Sequence, residues 1–343
     1  MSLPFIALSI TSHKQTTPLT LLPFPEPELG PGELLIQNVA IAQNPVDWKQ
    51  IDYDIGILSL PWTNGGDVAG TVYKLGPGVE NFKLGDRVIS FLERKTARHG
   101  AYQTYSIAAS SRTVRLPETY SFEQGSTIPL AYVTAGAGLE HALGVKLPVP
   151  PHLPVESKEE PLLVWGAASS VGAYVIQLAK AAGYTVLSTA SPKNHAYIKS
   201  LGASEVFDYH DPDVVSKIHT AAGANLSKVY DCISEHGSIE ASVGSITTTG
   251  TGVVAVILTP KPEQSTSTVK VLHTGAKQAE LYPEVGKRVY ALLEYLLERG
   301  TFVPNPVRVV PGGLLGANEG LKLGREHRVS GEKLVYRVAE TQF

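Results

Sequence analysis

Residues 166–172, Gly-Ala-Ala-Ser-Ser-Val-Gly, are the stretch best suited to gripping an anion. Glycine lets a backbone close on phosphate oxygens, and the leading N–H groups and dipole of a following helix favour negative charge. Such a turn can seat the diphosphate of a dinucleotide. Its spacing is G-x-x-S-x-x-G, with Gly166, Ser169 and Gly172 as fixed points and Ala168, Ser170 and Val171 between them, and not the common G-x-G-x-x-G. Taken alone, a tight strand–helix contact would use the same letters. A second group, Ser191-Pro192-Lys193-Asn194, follows with Tyr209 beyond it. No Asp or Glu is present at 189–191 to take a ribose 2′-hydroxyl, whereas a hydroxyl, a cation and an amide suit a 2′-phosphate. Ser191-Pro192 also fits a helix N-cap followed by proline at the first helical position, and the two roles are compatible. The set favours NADPH over NADH.

The elements that must hold these groups are legible around them. Leu162–Trp165 is a short apolar run suited to a buried strand, and from Val171 the apolar residues recur at helical spacing through Val175, Leu178 and Ala182. Gly183 stands where a helix C-cap belongs, and Tyr184–Ala190 reads as the next strand. The alternation continues with strands at 204–209, 229–234 and 253–258, and with helices at 213–222 and 238–246. That pattern argues for a doubly wound parallel sheet. The stretch from Lys261 to about Gly275 is polar and has no assigned element, and 283–299 carries an amphipathic helix.

Upstream, strands at 34–41, 67–76, 87–92 and 100–107 are punctuated by Gly and Pro, which suggests a barrel or sandwich. Asn44-Pro-Val-Asp-Trp-Lys49 lies between two of them. From spacing alone it is a turn, with Asp47 as a cap and Lys49 as a solvated charge. The pattern turns helical over 122–145, and the proline-rich 146–161 reads as a surface linker.

At 343 residues, two domains are the natural count. A formal charge of −3 and a pI near 6.4 give no general case for nucleic acid or an anionic membrane. No segment reads as a membrane span or a leader, so a cytoplasmic protein is expected. The single cysteine, Cys232, rules out an intramolecular disulfide and a cysteine-based zinc cluster, and its strand-like setting suggests a buried thiol.

Together these motifs resemble the medium-chain dehydrogenase/reductase superfamily over nearly the whole chain. The matching stretches are NPVDWK (44–49), GGDVAGTVYKLGPGVENFKLGDRV (65–88), GAYQTY (100–105), IPLAYVTAGAGL (128–139), VWGAASSVGAYVIQLAK (164–180), SPKN (191–194), FDYHDPDVV (207–215) and VSGEKLVY (329–336). The likeness is to the zinc-independent fungal branch of enoyl reductases and quinone oxidoreductase-like proteins. It implies a GroES-like β-rich catalytic domain, 1–128 completed by 281–343, and an inserted Rossmann NADP-binding domain, 129–280. It further implies that Val46, Asp47, Trp48, Lys49 and Thr134 face the coenzyme, that Val256 and Ile257 bring backbone groups to the nicotinamide, and that Val329 and Ser330 contribute from the tail.

Departures from the family pattern are informative. Zinc-dependent members carry Gly-His-Glu where this chain has Gly65-Gly66-Asp67, and the cysteine ligands are missing. The ten histidines, His13, His99, His141 and His152 among them, show no metal-like spacing, and no metal is expected. The resemblance implies hydride transfer from NADPH to an activated C=C in an enone, enoyl thioester or quinone. In fungal secondary metabolism a carrier protein would deliver the substrate. Lys49 and Tyr53 are the candidate catalytic donors. Alternatives are a redox-silent isomerase or cyclase and an NADPH-binding regulatory protein. The chain is expected as a monomer or homodimer.

Overall fold

The computed structural model describes residues 3–92, 96–152 and 156–342. Residues 93–95, and residues 153–155 of the expected 146–161 linker, lie outside the described residues. The chain divides into two compact units, 1–130 with 304–343, and 131–303.

The first unit opens with β1 (Ile6–Ile10), β2 (Thr20–Pro23), β3 (Glu33–Ala42), α1 (Pro45–Tyr53), β4 (Trp62–Thr63), β5 (Asp67–Leu75), β6 (Arg87–Phe91), β7 (Tyr105–Ala109), β8 (Thr113–Arg115) and α2 (Phe122–Ser126). β3 is the longest strand and is mostly buried along its length. It pairs antiparallel with β5 and β7, and two register shifts against β5 re-aim its side chains. The strand expected from residue 100 starts only at Tyr105, because the preceding backbone bonds elsewhere: Tyr102 N–H to Asn64 and Thr104 N–H to Ile6.

The second unit holds α3 (Pro129–Ala137) from Ala131 onward, β9 (Pro161–Trp165), α4 (Ser170–Ala181), β10 (Thr185–Thr189), α5 (His195–Ser200), β11 (Glu205–Phe207), α6 (Val214–Ala222), β12 (Lys228–Asp231), α7 (Ser238–Gly244), β13 (Gly252–Val256), β14 (Val269–His273), α8 (Lys277–Leu281) and α9 (Pro283–Glu298). Among the described residues its sheet has the order β11-β10-β9-β12-β13-β14, and every neighbouring pair is parallel. The order reverses between β9 and β12, which makes that gap the topological switch point. β9 is buried on both faces, as a central parallel strand should be. β14 fills part of the polar stretch that had no assigned element.

The chain then returns to the first unit with β15 (Val307–Val309), α10 (Ala317–Arg325) and β16 (Lys333–Arg337). β16 inserts between β15 and β3, so the sheet runs β15-β16-β3-β5-β6-β8 with β7 also on β3. The chain re-enters the first unit near residue 304. The reason is α9, which buries Val285, Val289, Leu292, Leu293 and Leu297 inside the second unit. Val289 closes on Gly136 of α3, where an added Cβ would come within 2.9 Å of it.

Candidate functional site

The small-residue loop is built for close approach. Gly166 has φ +73°, and an added Cβ there would run into the side chain of Ile233. A Cβ on Gly172 would lie 2.6 Å from the Gly166 carbonyl oxygen and 2.7 Å from Ala167 Cα. The loop is pinned to β10: Gly166 N–H donates to Thr189 Oγ1 (3.0 Å) and Ala167 N–H to the Thr189 carbonyl (2.9 Å). Ser169 caps α4, its Oγ accepting from Gly172 N–H at 3.1 Å. A helix leaves its first N–H groups without an intrahelical partner, and with Gly172's taken, those of Ser170 and Val171 remain for an anion. Ala168, Ser169, Ser170 and Val171 are all half-buried, within reach of a ligand.

At the end of β10, Ser191 does precede proline at a helix start, a 3-10 turn over Pro192–Asn194. Its hydroxyl makes no cap bond, however, and instead meets the Tyr209 hydroxyl at 3.1 Å. Lys193 is exposed and Asn194 half-buried on that same turn. Two residues beside Tyr209 escaped the sequence reading. The His210 ring packs on Tyr209 with centroids 4.1 Å apart, and Asp208 Oδ1 lies 2.8 Å from His210 Nδ1. The His210 backbone N–H and ring hold the Asp208 carboxyl below its ordinary range. The run Asp-Tyr-His was the available signal.

At the switch point, Asp231 is fully buried at the end of β12. Its Oδ1 accepts from the N–H groups of Ile233 (2.8 Å) and Ser234 (2.9 Å), and its Oδ2 from the Ser238 hydroxyl (2.6 Å). Burial raises its pKa against the lowering effect of these donors. Ser234 Oγ in turn accepts the Ile257 N–H at 2.9 Å. The Val256 carbonyl accepts from Thr274 N–H (2.8 Å), so the backbone groups expected to meet a ligand are partly engaged within the unit. Thr134 is buried in α3, and its carbonyl accepts from the Tyr230 hydroxyl at 2.8 Å. Cys232 is buried, and burial together with the Asp231 charge pushes its thiol well up.

In the first unit, residues 44–49 do not form a simple turn. Asn44 is the N-cap of α1, Pro45 sits where proline is tolerated, and Asp47 is the third helical residue of a capping box. Asp47 Oδ2 accepts from Asn44 N–H (2.8 Å) and the Tyr102 hydroxyl (3.0 Å), and its carbonyl accepts from Asn64 Nδ2 (2.7 Å). Burial and the Asp47 charge push the Tyr102 phenol well above its ordinary pKa, so it stays a donor. Val46 is half-buried and Trp48 buried. Lys49 lies with its Nζ 5.5 Å from the Trp48 ring centroid, and Tyr53 is 61% exposed at the helix end. Val329 is half-buried and Ser330 exposed, just before β16.

Asp67 lies at the heart of this unit. Its Oδ2 accepts from Lys333 Nζ and from Asn44 Nδ2, each at 2.8 Å, and its Oδ1 from Leu130 N–H at 2.7 Å. Lys333 is only 2% exposed and also donates to Asn44 Oδ1 (3.0 Å) and the Thr127 carbonyl (3.1 Å). In the sequence Lys333 stands out only as a letter of the matching stretch 329–336. Among the described residues no group of three or more His, Cys, Asp or Glu side chains is disposed to hold a metal ion, and no helix is long and apolar enough to cross a membrane.

Comparison with known proteins places this architecture. Residues 30–118 match the family model described as the alcohol dehydrogenase GroES-like domain, and 170–283 the one described as zinc-binding dehydrogenase. The trans-enoyl reductase himH of Aspergillus japonicus is 34% identical over 318 residues, covering 90% of this chain and 91% of that one. The chain belongs to the medium-chain dehydrogenase/reductase superfamily. Its relatives place it in the enoyl reductase branch of that superfamily. The trans-enoyl reductase tazE of Aspergillus terreus is 44% identical over 200 residues, 56% of this chain and 65% of tazE, so that match spans less than two thirds of the relative's length. The enoyl reductase component lovC of lovastatin nonaketide synthase, also from A. terreus, is 31% identical, covering 97% of this chain and 96% of lovC. In fold, the CurK enoyl reductase superposes with a TM-score of 0.81 at 21% identity, covering 97% of this chain and 99% of that one. A mycobacterial Rv1454c structure complexed with NADPH gives 0.76 at 23% identity, with coverages of 97% and 99%. A GroES-like β-rich domain and a Rossmann-type parallel sheet are therefore the two parts of this member.

Proposed function

We propose that this protein is an NADPH-dependent reductase of activated C=C bonds, acting on an enoyl thioester, enone or quinone. The observation that carries the reading is the loop from Gly166 to Gly172. A Cβ on Gly172 would strike Gly166 and Ala167, one on Gly166 would strike Ile233, and the loop leads into the capped start of α4. The 2′-phosphate would lie at Ser191, Lys193, Asn194 and Tyr209, and residues 189–191 offer no carboxylate of the kind that accepts from the ribose 2′-hydroxyl in NAD-binding sites. When bound, NADPH supplies the hydride. The chain's part is to orient the coenzyme, receive the substrate and donate hydrogen bonds to the enolate oxygen. Lys49, and Tyr53 at the end of α1, are the side-chain donors proposed for that oxygen. Asp67 has both oxygens committed to Lys333, Asn44 and Leu130, so it is no substitute for a metal-binding carboxylate, and we propose a zinc-independent reaction. The likeness to lovC, the enoyl reductase component of lovastatin nonaketide synthase, supports a carrier-delivered substrate.

The test is NADPH oxidation against a panel of enoyl thioesters, enones and quinones. Turnover of at least one class is expected, with NADPH preferred to NADH. Silence across the panel with intact NADPH binding would replace the reductase reading with a redox-silent one.

A further inference from the structure

The coenzyme reading accounts for the diphosphate loop and the 2′-phosphate corner, and it leaves unexplained a buried polar cluster at the switch point between β9 and β12. Three residues in the turn after β12 hold positive φ: Ser234 (+60°), His236 (+57°) and Gly237 (+83°). For the two non-glycine residues this is an unfavourable conformation, sustained only where the surroundings over-determine it. Here the determinant is Asp231. Its carboxylate fastens the turn at Ile233 N–H, Ser234 N–H and the Ser238 hydroxyl.

The consequences reach two neighbouring segments. Ile233, fixed by its N–H, presses its side chain on Gly166 at the start of the diphosphate loop. Ser234, fixed by its N–H, presents its Oγ to the Ile257 N–H just past β13. One carboxylate therefore sets the register of three chain segments that meet outside the carboxyl ends of β9, β12 and β13. In open parallel sheets that is where a nucleotide ligand lies. With its N–H taken, Ile257 has only its carbonyl to offer, and a carbonyl acceptor suits the NH2 of a carboxamide.

We infer that Asp231 and Ser234 are positioning residues for the nicotinamide end of the coenzyme, a role that rests on the NADPH reading above. Neither side chain needs to touch the ligand. They hold the Ile257 carbonyl and the Ile233–Gly166 contact in place.

The test is calorimetric titration of wild type, Ser234→Gly and Asp231→Asn with NADPH and with 2′-phospho-ADP-ribose, which lacks the nicotinamide. Ser234→Gly relieves the positive φ, which offsets the loss of the hydroxyl's bond to Ile257 N–H, so its melting temperature should change little. We expect NADPH to bind it about tenfold more weakly, the size of one lost hydrogen bond, while 2′-phospho-ADP-ribose binds as to wild type. Asp231→Asn also frees the Ile233–Gly166 contact at the diphosphate loop, so it should weaken 2′-phospho-ADP-ribose as well, but NADPH by more; if that variant fails to fold, Ser234→Gly decides alone. Equal weakening of both ligands by Ser234→Gly, or no change in either, overturns the inference and leaves the coenzyme reading standing. Wild-type protein that binds neither ligand overturns both.

Discussion

The hydroxyls of Ser191 and Tyr209 meet at 3.1 Å although 18 positions separate them in the chain. The contact joins the turn after β10 to the turn after β11, and with Lys193 beside it the pair presents two hydroxyls and a cation. Replacing Lys193 by Ala should weaken NADPH binding by about 1.5–3 kcal/mol, the range for a charge-assisted contact, and Tyr209→Phe by about 0.5–1.5 kcal/mol. NADH binding should not change in either variant. Calorimetric titration with both coenzymes checks this, and an unaltered preference in Lys193→Ala would remove the 2′-phosphate assignment.

Gly172→Ala tests the loop itself. The added methyl would meet the backbone of Gly166 and Ala167, neither of which can rotate away. The expected loss is about 1–3 kcal/mol of stability, as for other overpacked sites, with coenzyme binding reduced in parallel. Thermal melting and titration of the same sample measure the two effects.

Lys333→Met should be among the most damaging single changes in the first unit. It strands the Asp67 carboxylate in a site with no access to water, and breaking a buried pair from one side typically costs about 3–5 kcal/mol. Pairing it with Asp67→Asn should recover part of the loss. Denaturant midpoints of the two variants give the comparison.

A pH effect follows from Glu123. Burial alone would raise its pKa, but the helix-start N–H, Arg337 and Ser121 outweigh it and hold the carboxyl below its ordinary value of 4.5. Arg337 Nε donates to Glu123 Oε1 at 2.7 Å, tying β16 to α2. A depressed folded pKa means the contribution is complete above the ordinary value and is lost as pH falls through the folded one. Glu123→Gln should thus melt lower than wild type near neutrality, and the gap should close in acid.

The parallel βα alternation was readable because buried strands and amphipathic helices leave different periods in the sequence. The order of the strands was not, since pairing is decided by packing between distant segments. α1 was missed for a local reason. Pro45 reads as a breaker by spacing, yet it occupies the first helical position, and the Asn44–Asp47 box that starts the helix was visible in the letters. β14 was hidden by its polar surroundings, although Val269 and Val271 face inward with Lys270 between them facing out. The candidate site divides the same way. Ser191 and Tyr209 stood out in the sequence as members of one candidate set, though not as a bonded pair, whereas the Asp231 cluster depends on a turn of positive φ that no local pattern announces. Lys333 was overlooked because a lysine in a strand is ordinarily solvated, and nothing near it in sequence discloses a carboxylate 266 positions away.

That distance fixes an order of events during synthesis. Residues 131–303 are contiguous and hold all the partners of their own sheet, so they can fold as soon as they leave the ribosome. Asp67 emerges long before the cation that neutralises it, and β3 waits as long for β16. The half made first is therefore the half finished last, and a nascent chain stalled short of residue 333 carries one completed domain and one open sheet edge.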